Sequence, residues 1–103
     1  MKDGTYKLDE QRIQTAARCL KALAHPTRLK IVAALRDREM GVQEIVAAVG
    51  MSQSSASQQL GLLRDRYVLE SRREGNQVFY RVRDRGVLKL LDLLQAVFCP
   101  PQR

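Results

Sequence analysis

The sequence lacks the residue sets on which most catalysis depends. It has no Gly-rich phosphate loop, no pair of acids on a shared face and no closely spaced CxxC thiols. Nucleotide-driven, acid–base and dithiol chemistry are therefore without their usual groups, and no enzyme activity or cofactor is expected. Its one histidine, His25, stands before Pro26 at a helix start, where capping or packing explains it better than metal ligation. The opening MKDGTYKLDEQ has no apolar core, and no stretch approaches the length of a membrane span. Neither export nor membrane insertion is expected, which places the protein in the cytoplasm with its two cysteines initially reduced. Internal repeats and low-complexity segments are absent, and the ends, Met1 to Lys7 and Pro100 to Arg103, are expected to fray.

What remains is one domain over residues 1–103. Hydrophobic residues at 45% and charged residues at 28% are ordinary for a soluble globular chain. The charge balance is not: 18 Lys and Arg against 11 Asp and Glu give a formal net charge of +7. That excess suggests a polyanionic partner, nucleic acid ahead of a membrane surface, since no basic amphipathic tail stands apart from the fold.

The stretch from Val42 to Tyr67 says most about that partner. Ile45, Val46 and Val49 give a short helix its apolar face, Gly50 allows a sharp stop, and Ser52 is placed to cap the next helix. In that second helix Ala56, Leu60, Leu63 and Tyr67 recur at helical spacing as a narrow buried seam. Opposite them stand Ser54, Ser57, Gln58 and Gly61, with Gln53 and Arg64 on the flanks. A solvated face normally carries Lys and Glu. This one carries hydroxyls and amides, the groups that pair with base edges in a DNA major groove, and Gly61 would let the backbone approach the duplex. A Ser/Gln-rich surface helix without a partner is the bland alternative, but a helix–turn–helix has few other common uses.

The other elements follow in order. Leu8 to Ala24 reads as a first helix with Ile13, Ala16, Ala17, Leu20, Leu23 and Ala24 on one face, and Thr27 to Arg38 as a second. Glu39-Met40-Gly41 is a short connector or minimal strand. Val68 to Arg73 and Gln77 to Val82 alternate with period two around Gly75-Asn76, a hairpin signal. Arg72 and Arg73 lie at its tip and Arg81 and Arg83 on its return strand, so the hairpin is a basic wing suited to phosphates or the minor groove. A solvated edge hairpin protected by charge is the alternative. From Val87 to Phe98 the last helix is apolar nearly all round. It is either central to the core or shared with a second subunit, and its terminal place after the wing favours a dimer, made with help from the first helix.

The order α-α-α-α-β-β-α, mostly helical with a small hairpin, together with LKALAHPTRLKIVAAL and SQSSASQQLGLLRDRYVLESRREGNQVFYRV, resembles the ArsR/SmtB-type winged helix–turn–helix repressors. The resemblance runs from about Ala16 to Cys99. It implies a homodimer that holds a palindromic operator until an inducer changes its geometry, with Gln53, Ser54, Ser57 and Gln58 reading bases and Arg64, Arg72, Arg73 and Arg81 neutralising phosphates. The thiols that arsenic- and cadmium-type relatives carry before the turn are missing from GVQEIVAAVG. Zinc-type relatives use Asp, His and Glu on the last helix, where this chain offers Asp92 but no histidine. No metal site of either kind is expected.

Cys99, in VFCPP at the end of the last helix, resembles the reactive-sulfur and oxidant sensors of the family. Those relatives pair it with a cysteine at the position of Ala33, whereas the second thiol here is Cys19, one helix earlier. Cys19 and Cys99 both sit on the proposed dimer helices, so modification by persulfide or oxidant is the reading the resemblance favours. Arsenite or another soft metal bridging the same thiols is a second reading, and two small buried hydrophobes a third. A non-specific architectural nucleic-acid-binding protein is the rival from another class, separable by its indifference to a palindrome.

Overall fold

The computed structural model describes residues 9–99. The expected fraying of both ends and the start of the first helix at Leu8 lie outside them. Helix α1 (Glu10–Leu23) begins at Asp9, whose carboxylate accepts from the Arg12 N–H at 2.8 Å. Helix α2 (Pro26–Leu35) has Pro26 in its first turn, and the His25 Nδ1 accepts from the Thr27 N–H at 3.2 Å. The expected extension of α2 to Arg38 does not occur. Arg36, at φ 52° and ψ −122°, leaves the helical region and turns the chain toward β1 (Met40–Gly41).

Helices α3 (Val42–Val49) and α4 (Gln53–Asp65) follow, then strands β2 (Leu69–Glu74) and β3 (Gln77–Val82), and α5 (Arg85–Phe98). The hairpin is not alone. Met40 pairs with Tyr80 and Gly41 with Phe79, so β1 joins as a third antiparallel strand in the order β1-β3-β2. Between β2 and β3 the register runs from Leu69 opposite Val82 to Glu74 opposite Gln77, leaving Gly75-Asn76 as a two-residue turn. Positive φ occurs at Gly75 (63°) but not at Asn76, the pattern of a II′ turn.

The core lies where α2, α3, α4 and the sheet meet. Ile31, Val32, Leu35, Ile45, Ala56, Leu60 and Leu63 are wholly buried, with Met40, Val68, Leu69 and Tyr80 around them. Tyr67 is not in the seam. Helix α4 ends at Asp65, and Tyr67 adopts φ 63° in a helix-terminating motif whose bonds run from the Tyr67 N–H to the Arg64 carbonyl (3.0 Å) and from the Val68 N–H to the Leu63 carbonyl (2.9 Å). That reversal swings the Tyr67 ring outward, 72% exposed beneath the Arg83 guanidinium at 5.2 Å, and puts Val68 in the core instead.

Helix α5 buries no residue completely. Val87, Leu88, Leu90 and Leu91 pack partly on the core, while Leu93, Leu94, Val97 and Phe98 face outward, as do Ile13 and Leu20 of α1. The radius of gyration is 15.6 Å, against about 13 Å for a compact chain of this length. An apolar outer surface on an open body leaves the two terminal helices without cover.

Candidate nucleic-acid interface

The turn between α3 and α4 is fixed locally. Gly50 closes α3 in the left-handed region (φ 76°, ψ 48°), a conformation that costs a side chain about 1–2 kcal/mol. The Ser52 hydroxyl accepts from the Ser55 N–H at 3.1 Å and starts α4. With Ala56, Leu60 and Leu63 anchored in the core, Gln53, Ser54, Ser57 and Gln58 are all exposed. Gly61 lies on the same outward side. A Cβ there would meet only the end of the Arg64 side chain, at 4.0 Å, so no contact within the domain demands glycine.

The structure adds groups that the sequence reading did not single out. Gln43, in the first turn of α3, donates from Nε2 to Gln53 Oε1 at 2.9 Å. Gln43, Gln53, Ser57, Asn76 and Gln77 line one open groove of about 630 Å³ between the helix–turn–helix and the wing tip. Nothing in a linear pattern marks Gln43, which looks like any polar position of an amphipathic helix. Asn76 and Gln77 were legible only as a turn and a strand start.

The four arginines fall into two groups. Arg64 lies 3.4 Å from Asp65, both well exposed, and Arg73 at the wing has no carboxylate partner among the described residues. Arg72 is committed within the domain. Its Nε and Nη2 donate to the two Glu39 oxygens at 2.8 Å each, Nη1 donates to Glu74 at 2.7 Å, and the guanidinium lies 4.8 Å from the Phe79 ring centroid. The hydrogen bond from Arg72 holds the Glu39 carboxyl below its ordinary range, assisted by the Arg72 and Arg81 charges, while the two carboxylates raise Arg72. Arg81 pairs with Glu70 directly across the hairpin. Register explains this: Glu70, Arg72, Glu74, Phe79 and Arg81 share the outer face of the sheet, and Arg73 the other.

Cys19, on α1, and Cys99, at the C-cap of α5, are free and exposed, each on a helix with an uncovered apolar surface. Among the described residues, no three His, Cys, Asp or Glu side chains are grouped to hold a metal ion, and no helix is long and apolar enough to cross a membrane.

A helix–turn–helix whose second helix presents an amide and hydroxyl face beside a three-stranded wing defines a winged helix–turn–helix domain. A model of the bacterial regulatory protein arsR family matches residues 25–66. The biofilm growth-associated repressor of Agrobacterium fabrum is 40% identical over 93 residues, covering 90% of this chain and 80% of that protein. Reduced HlyU from Vibrio cholerae superposes with a TM-score of 0.76 at 34% identity, covering 87% of this chain and 95% of that one. The homodimeric winged helix–turn–helix domain Mb0332 of Mycobacterium bovis gives a TM-score of 0.79 at 35% identity, covering 92% and 88%. The chain belongs to the ArsR family of bacterial regulatory proteins.

Proposed function

We propose that this protein is a cytoplasmic transcriptional repressor that binds a palindromic operator as a homodimer and lets go when Cys19 and Cys99 are modified by reactive sulfur species or oxidant. The DNA-reading half rests above all on the charge-free outer face of α4. Gln53, Ser54, Ser57 and Gln58 read base edges there, with Gln53 held by Gln43. Arg64 and Arg73 meet phosphates first. Arg72 and Arg81 brace the wing through their carboxylates and reach phosphate only with the N–H groups left over.

Dimerisation is supported by the exposed Ile13, Leu20, Leu93, Leu94, Val97 and Phe98 on α1 and α5, and by the homodimeric relative. The switch is supported by two free, exposed thiols on those same helices. Peroxide would take two hydrogens from the pair and join them as a disulfide, and a persulfide donor would leave a sulfur-chain bridge. Either link biases the dimer geometry and misplaces the reading helices, a coupling of typically ~1–3 kcal/mol. Arsenite bridging the same thiolates is the second reading, favoured by their softness and accessibility. Selection of duplexes from a randomised pool by the reduced protein tests the DNA half. Inverted repeats with half-sites one helical turn apart are expected, and sequence-indifferent binding would favour the architectural alternative.

A further inference from the structure

The exposed face of α4 has two flanks. At about 100° per residue, Gln53, Ser57 and Arg64 fall toward the wing, Ser54, Gln58 and Gly61 point outward, and Gln59, Leu62 and Arg66 lie on the far side. That far side borders a cleft of about 190 Å³ lined by Arg18, Lys21, Ala22, Arg28, Leu62 and Arg66. Four of the six are cations, and none has a carboxylate partner among the described residues. The contrast with the wing is sharp, since there Arg72 and Arg81 spend their charge on Glu39, Glu74 and Glu70.

The floor of the cleft is built. Arg28 is half-buried, donating from Nε to Gln59 Oε1 at 2.8 Å and from Nη1 to the Ala22 carbonyl at 3.1 Å, so its guanidinium is held between α1 and α4. Arg18, Lys21 and Arg66 stand exposed around it. Like charges crowded together repel one another, and a bound anion relieves that repulsion. A helix in a major groove about 12 Å wide has a phosphate ribbon on each side. The wing serves one side, and this cleft faces the other.

We propose that Arg18, Lys21, Arg28 and Arg66 form a second phosphate-binding station that grips the duplex backbone on the side of α4 away from the wing. The inference rests on the DNA-binding reading above and adds where the counterweight to the wing lies.

The double variant Lys21→Gln/Arg66→Gln tests it while leaving the Arg28 floor intact. Lys89→Gln/Arg85→Gln, in the separate cleft between the end of α2 and α5, is the charge-matched control. Equal melting temperatures establish that both variants fold. On a duplex selected by the wild-type protein, the slope of log K against log salt should become shallower by about 1–2 in the test variant, near 0.9 for each phosphate no longer neutralised, with base preference unchanged. The control should keep the wild-type slope. Identical slopes in test variant and wild type, or the same change in the control, would overturn the station. A second arm titrates inorganic phosphate into the free proteins. Stabilisation that disappears in the test variant without any change in slope would assign the cleft to a free anion and overturn the DNA assignment. Failure of the wild-type protein to bind any duplex would sink the DNA reading itself, an outcome distinct from all of these.

Discussion

Gln43 and Gln53 join through a 2.9 Å hydrogen bond that ties the first turn of α3 to the first residue of α4. The bond occupies one acceptor site of the Gln53 amide and orients the rest of it toward the groove. A long side chain that must be ordered on binding loses up to ~2 kcal/mol of rotamer freedom, and Gln43 sets part of that order beforehand. Gln43→Ala should therefore weaken binding to a selected duplex by roughly 2- to 10-fold, the ~0.5–1.5 kcal/mol worth of one hydrogen bond. Binding to random duplex and the melting temperature should hardly move. Fluorescence anisotropy on the two duplexes checks this, and an equal loss on both would show that Gln43 acts on affinity without selecting bases.

Gly61→Ala separates stability from recognition. A helix-interior Gly is worth about 1 kcal/mol less than Ala, and nothing in the domain crowds a Cβ at this position. The variant should melt higher yet bind the selected duplex more weakly. Higher stability with unchanged binding would show that the α4 backbone never comes close to DNA.

Arg36 holds a φ of 52° without glycine. Arg36→Gly should relieve strain of about 1–3 kcal/mol against an added unfolded-state entropy of ~0.4–1 kcal/mol. A net gain of roughly 1 kcal/mol would raise the midpoint by ~4–8 °C, readable by calorimetry.

The Glu39–Arg72 pair carries a pH signature. The Glu39 carboxyl is lowered from its ordinary 4.5 by the hydrogen bond from Arg72. A depressed carboxyl contributes stability fully above its unfolded-state value, and loses it as pH falls through the folded one. The urea midpoint of the wild type should exceed that of Glu39→Gln at pH 7, and the difference should shrink below about pH 4.5. A difference constant down to pH 3 would show that the pair contributes nothing through ionisation.

Local chemistry carried most of what could be read from the sequence. His25-Pro26, Gly50, Ser52 and Gly75-Asn76 each dictate a cap or turn from adjacent residues, and each is where the pattern put it. The all-round apolar α5 announced a helix that the domain cannot cover alone. What stayed hidden depends on residues far apart. The Glu39–Arg72 pair spans 33 positions, and the pairing of β1 with β3 spans about as many. Tyr67 misled because helical spacing runs on through a chain reversal that only φ reveals. The basic cleft was invisible because its cations come from three helices.

The most direct test uses intact mass and DNA binding on the same samples. Reduced protein is treated with a persulfide donor, peroxide or arsenite, beside Cys19→Ser and Cys99→Ser variants. The proposed switch requires a modification linking Cys19 to Cys99, by loss of two hydrogens, gain of sulfur or gain of arsenic, with release of the selected duplex that both single variants resist. Unreacted cysteines with DNA still bound, or full modification with unchanged affinity, would contradict it.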